Sequence, residues 1–192
     1  MVRLQEQLKD EINLEIQPLP YLLYPHIPLG GLPKSHFAKK TKTGMGKALK
    51  HEAHQENISI NYKLIDTIPN SLEAHRLIQL IPNNEQKYAL TKAIFYTYFE
   101  KGKNIEDHDV LIDLAKSIGV DKEIIGQFFG TSMGKEAVQI AINKSKEDFI
   151  SIVPSLRLDH QFMIPGLQSI EVWENYIRRA ATIQKQKKEN ID

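Results

Sequence analysis

The sequence contains no cysteine. Thiol–disulfide exchange needs a thiolate nucleophile, so these 192 residues cannot perform it by themselves. Missing cysteine also fits a reducing compartment. The chain has little net charge, formally +1 at pH 7, which favours neither nucleic acid nor an anionic membrane as a partner. No apolar run approaches the ~20 residues that span a bilayer. The start, Met1 to Leu8, carries a glutamate and lacks a signal-peptide core, so a cytoplasmic location is expected. There is no internal repeat. A hydrophobic fraction of 41% and a charged fraction of 26% are those of a globular protein of one domain, or a small domain with an insertion.

Leu4, Leu8 and Ile12 recur every four residues and predict a short amphipathic helix over 3–11. In Asn13 to Leu19, Leu14 and Ile16 alternate with Glu15 and Gln17, which predicts a strand bounded by Pro18 and Pro20. Tyr21 to Lys34 holds three prolines and two glycines and reads as a loop. Lys34 to Lys50 is basic and free of acid, and reads as a solvated surface segment, with a helix from about Lys47 onward. Ile58, Ile60, Tyr62 and Leu64 alternate with polar residues and predict an extended segment with one buried face.

From Pro69 to about Ser145 the apolar spacing is helical. Asn70 and Glu73 form a predicted capping pair for the first of these helices. Leu90 and Ile94, with Phe95, Tyr98 and Phe99, mark a second, over 85–101. Val110, Leu111 and Leu114 mark a third, stopped by Gly119. Asp121 caps a fourth, with Phe128 and Phe129, and Met133 to Lys146 is a fifth. Phe95, Phe99, Phe128 and Phe129 are expected in the core. Phe149 to Leu158 predicts a strand with Pro154 in its middle. Asp159-His160 turns it into a second strand, Gln161 to Ile164. A last helix, Ser169 to Ile183, presents Ile170, Trp173, Ile177, Ala180 and Ala181 inward, and the tail Lys185 to Asp192 is expected to fray. The pattern as it stands is α/β with a helical insert. His51-Glu52-Ala53-His54 offers two histidines at i, i+3 but no evident third ligand, and lacks the spacing of a zinc protease, so no metal is expected.

Three segments carry a family resemblance: Pro69-Asn70-Ser71-Leu72-Glu73-Ala74-His75-Arg76-Leu77, Tyr98-Phe99-Glu100-Lys101-Gly102-Lys103-Asn104-Ile105, and Val153-Pro154 followed by Gly166-Leu167-Gln168. In this order they resemble the DsbA-like thioredoxin-fold proteins of the FrnE or dithiol-disulfide isomerase type. The resemblance implies a thioredoxin-like fold with a DsbA-type helical insertion, divided as 1–67, 68–146 and 147–192. In such proteins a strand and a Cys-x-x-Cys turn precede the helix with which this chain opens, and both are missing from this sequence. Loss of that central strand removes about three large buried side chains at ~1.5–3 kcal/mol each. Either the chain is part of a longer oxidoreductase, or the flanking strands pair directly, or a second copy covers the open edges.

The same resemblance implies a cis Val153–Pro154 bond beside the active-site groove, with Val153 offering backbone groups to a peptide or small thiol-type ligand. It also places Asn70, His75 and Arg76 near that groove as substrate-binding candidates. As bare sequence, Asn70 is a good helix cap and His75 and Arg76 a half-exposed helix face. The family often has glycine two residues before the proline, where this chain has Ile152, a bulkier neighbour. The family's chemistry is disulfide oxidation or isomerisation. Relatives that work without two cysteines keep a serine or cysteine on the same missing turn. The expectation is therefore a member inactive in thiol exchange as it stands, without cofactor, or else a non-enzymatic peptide- or partner-binding module, with a homodimer as one possible assembly.

Overall fold

The computed structural model describes residues 2–37, 47–128, 130–159 and 162–190. Phe129, the His160 turn and much of the basic run, residues 38–46, lie outside them. The chain divides into two compact units, residues 1–15 with 143–192, and residues 16–142.

The first unit is built on a β-hairpin. β3 (Ser155–Leu158) pairs antiparallel with β4 (Phe162–Pro165), Leu156 opposite Ile164 and Leu158 opposite Phe162. Side chains alternate across a sheet, so these four share one face. They pack with Leu4 and Leu8 of α1 (Val2–Leu8) and Trp173, Ile177 and Ala180 of α8 (Ile170–Glu189). Ser169 caps α8, accepting from the Val172 N–H. Glu11 and Glu174 both accept from the Arg178 guanidinium, which ties the chain after α1 to α8. That pairing holds the Glu11 carboxyl below its usual range.

The second unit is the helical block, preceded by a two-residue ladder of β1 (Leu32–Pro33) with β2 (Thr67–Ile68) and by α2 (Lys47–Gln55). Its helices are α3 (Leu72–Leu80), α4 (Asn84–Phe99), α5 (His108–Ser117) and α6 (Lys122–Phe128). α7 (Lys135–Glu147) begins in this unit. Leu77, Ile81, Leu90, Leu111, Ala115 and Phe128 are almost fully buried in one cluster. Asn83, Asp107 and Asp121 each accept a backbone N–H at a helix start. Gly119, at φ 73°, ends α5 where the spacing placed the stop.

Several expectations fail for physical reasons. Residues 13–19 form no strand. Their burial alternates as a strand's would, Leu14 and Ile16 half-buried and Glu15 and Gln17 exposed, but no ladder partner occurs among the described residues. Residues 58–64 do not bury one face, since Ile58 and Leu64 are both exposed. β3 begins after Pro154 and not at Phe149. Phe149 sits at φ 54° at the end of α7, and a proline cannot donate to a ladder. α8 continues through Glu189 and so includes most of the tail expected to fray. Phe95 is not core but 58% exposed.

Candidate functional site

The Val153–Pro154 bond is cis, as the resemblance implied. It lies immediately before β3, in the first unit. The run leading into it is exposed: Phe149 is 90% accessible, Ile152 50% and Val153 40%. Gly166, at φ 74°, follows β4, and a Cβ there would come within 3.8 Å of the Ile152 side chain. The hairpin therefore brings two separate motifs together, Val153-Pro154 and Gly166-Leu167-Gln168. Leu167, next to Gly166, is 56% exposed. Spacing gave no signal for Leu167, because the two strands meet through a register that only the folded hairpin sets.

Among the described residues β3 has a ladder partner on one side only. In an antiparallel pair alternate residues turn their N–H and C=O groups away from the partner strand. On the other side of β3 those groups meet no strand among the described residues. Such an edge accepts an added extended chain. Nearby, the Asp148 carboxylate accepts from Lys144 Nζ at 2.7 Å and from Arg157 Nη1 at 2.9 Å. The hydrogen bond from Lys144 is the main cause that holds this carboxyl below the usual range. It fixes Arg157, a β3 residue, to the chain that precedes the strand.

Asn70, His75 and Arg76 belong to the second unit, where each makes hydrogen bonds within the fold, although the buried Arg76 Nε has no partner among the described residues. Asn70 does not cap with Glu73. Its Nδ2 donates to the Ile27 carbonyl at 2.8 Å and its Oδ1 accepts from the Leu72 N–H at 3.0 Å. The Glu106 carboxylate accepts from the Gly30 N–H at 2.6 Å and from the Asn70 N–H at 3.2 Å, so it pins the loop 27–30 to the start of α3. Glu106 was not identified from sequence. Its one signal is its place directly after the Gly102-Lys103-Asn104-Ile105 motif.

Arg76 is buried, 4% exposed. Its Nη1 donates to the Thr131 carbonyl at 2.9 Å and its Nη2 to the Phe128 carbonyl. Nη2 also lies 3.2 Å from Glu73 Oε2, and the guanidinium carbon stands 4.4 Å over the Phe128 ring. Glu73, read as a cap, thus pairs with Arg76, and with His108 at 3.4 Å. Arg76 clamps the last turn of α6 by supplying donors to carbonyls that a helix end leaves without partners.

His75 is half-buried and hydrogen-bonded to the Tyr21 backbone. Burial is the larger effect and depresses its pKa below 6.5. A histidine depressed on folding leaves the unfolded chain binding more protons as pH falls. Stability from this site is therefore complete above pH 6.5 and declines below it, towards the folded-state value. The urea midpoint should fall between pH 7.5 and 5.5, and His75→Gln should flatten that dependence. An unchanged slope in the variant would mean that His75 does not titrate differently in the folded state.

His51 and His54 are both exposed, and among the described residues no group of three acidic or histidine side chains is placed to hold a metal. Among the same residues no helix is long and apolar enough to cross a membrane.

A family model described as "DSBA-like thioredoxin domain" matches residues 1–178. No curated protein matches the chain. Two solved structures are similar in fold. A "probable DsbA oxidoreductase" from Streptomyces coelicolor superposes with a TM-score of 0.71 at 20% identity, over 83% of this chain and 72% of that one. A "putative protein disulfide isomerase" from Nitrosomonas europaea superposes with a TM-score of 0.58 at 14% identity, over 77% and 78%.

Proposed function

Because the chain belongs to the DSBA-like thioredoxin domain family, we propose that it is a FrnE-like member of the disulfide isomerase type whose own residues bind an extended peptide and supply no thiol chemistry. The observation that carries this reading is the open edge of β3, entered through the exposed run that ends at Val153 and Pro154. A peptide laid along that edge takes backbone hydrogen bonds from β3, and its apolar side chains meet Ile152, Val153 and Leu167. Any disulfide exchange on the bound peptide needs a thiolate from outside these residues, because the chain has none. No cofactor enters the scheme, and the absence of cysteine suits a reducing cytoplasm.

The geometry at Phe149 supports a binding role. A large aromatic there is almost wholly exposed and held at positive φ, where glycine carries no steric cost. Replacing it with glycine should stabilise the fold by about 1 kcal/mol. The same change should weaken peptide binding if the ring meets the ligand.

The test is titration calorimetry with an unfolded peptide whose thiols are blocked, against the full chain. Binding with Kd on the order of 10–100 µM is expected, corresponding to roughly 5.5–7 kcal/mol. Val153→Asp should weaken it at least tenfold. The chain should leave insulin disulfides reduced no faster than buffer does. Binding that is indifferent to Val153→Asp, or insulin reduction by the cysteine-free chain, would refute the proposal.

A further inference from the structure

α4 carries apolar side chains on both sides. Leu90 and Ile94 are buried in the core, while Phe95 is 58% and Tyr96 49% exposed on the outside. At 100° per residue, Tyr88, Lys92, Phe95 and Phe99 fall in one outward stripe. Lys92 Nζ lies 5.8 Å over the Tyr88 ring and the Phe95 and Phe99 ring centroids are 6.1 Å apart, so the stripe consists of two contacting pairs. A helix with apolar side chains on both sides is ordinarily covered on both. By contrast, the exposed positions of α5 include Asp109, Asp113 and Lys116.

We infer that a second copy of this chain covers the stripe, with the two α4 helices antiparallel about a two-fold axis that passes between Lys92 and Phe95. The charges on the page select this occupant and this direction. With the axis there, Tyr88 of one copy stands opposite Phe99 of the other and Lys92 opposite Phe95. Each ammonium then meets an aromatic ring, and Lys92 does not face Lys92. Flanking the stripe on one side are Glu85, exposed at the first turn, and Lys101, whose ammonium lies 5.2 Å over the Tyr96 ring. Antiparallel pairing about a two-fold brings like flanks together, so Glu85 of each copy comes level with Lys101 of the other. In a parallel pair Glu85 and Lys101 would stand about 24 Å apart along the axis, and the opposite charges would not meet. One helix pair is a small interface, below the ~1,200 Å² of the standard class, so the dimer is weak, with Kd on the order of 100 µM.

Sedimentation velocity on the full chain from 10 µM to 1 mM tests the pairing. A concentration-dependent dimer is expected. Phe95→Glu, at an exposed position, should weaken it at least tenfold while thermal unfolding stays unchanged. Lys101→Glu should also weaken it, and adding Glu85→Lys should restore it. The absence of native cysteine makes a direct geometric check simple. Lys92→Cys copies should join through a bis-maleimide reaching ~10 Å, whereas Asn84→Cys copies, ~30 Å apart, should not. A monomer at 1 mM, a dimer unaffected by Phe95→Glu, or equal cross-linking at both positions would overturn the inference.

Discussion

Gly102→Ala is expected to lower stability by about 2–5 kcal/mol, from ~1–2 kcal/mol for a left-handed non-glycine residue and ~1–3 kcal/mol for overpacking. Gly102 follows α4 at φ 65°, where its N–H donates to the Tyr98 carbonyl. A Cβ added there would lie 2.4 Å from the Leu64 carbonyl oxygen and 2.5 Å from the Leu64 Cβ. Two of the obstructing atoms are backbone, so no side-chain rotation clears the space. The same stretch is fixed from both sides, because the Asn61 N–H donates to the Phe99 carbonyl and the Tyr98 hydroxyl to the Thr67 carbonyl. Urea unfolding measures the effect. Gly119→Ala is the control: it has a similar φ of 73° but nothing within 4 Å of the added Cβ, so it should lose only the smaller, conformational part. Equal losses at the two positions would show that close approach to Leu64 is unimportant.

Arg76→Met should cost about 3–5 kcal/mol, the range for breaking a buried charge pair from one side. Methionine keeps much of the length and apolar stem but removes every donor. The Phe128 and Thr131 carbonyls lose the Arg76 guanidinium, and Glu73 keeps only His108 near its carboxylate. Arg76→Lys should recover part of the loss, since one ammonium retains the charge but cannot span both carbonyls in the planar fork of arginine. The double variant Glu73→Gln/Arg76→Met should be less destabilised than the sum of its parts, because the unpaired carboxylate is gone. Unfolding of the wild type, of Arg76→Met, Arg76→Lys and Glu73→Gln, and of the double variant in urea gives the comparison. A loss below 1 kcal/mol for Arg76→Met would mean that the clamp is incidental to the fold.

These two residues show how far the sequence could be read. Helices were legible because their signal is local: Leu90 with Ile94 and Leu111 with Ala115 bury one side at the helical period. Strands were less so, because an alternating stretch becomes a strand only when a partner is at hand. Leu14 to Leu19 alternates without one among the described residues, and β3 has one in β4. The motif residues were visible as a resemblance, but their roles were not. The resemblance offered Asn70 and Arg76 as substrate-binding candidates, and in the fold Asn70 holds a loop and Arg76 a helix end. Gly102 was quoted only as part of a motif, and its physical reason is Leu64, nearly forty residues earlier in the chain. Phe95 and Phe99 were read as core because aromatic residues on a helix usually are. Nothing in residues 84–99 says that the buried side is already supplied by Leu90 and Ile94. The site before β3 was legible only through the family, since Val153-Pro154 and Gly166-Leu167 are joined by a hairpin register and not by spacing.

Amide hydrogen exchange of the full chain, with and without a thiol-blocked unfolded peptide, tests the central claim most directly. The peptide should slow exchange at Val153 and at alternate amides of Ser155–Leu158, those turned away from β4, and leave the amides of α3 and α5 unchanged. Exchange in β3 that stays the same at saturating peptide, or protection confined to the helical block, would contradict the assignment of the β3 edge as the peptide-binding site.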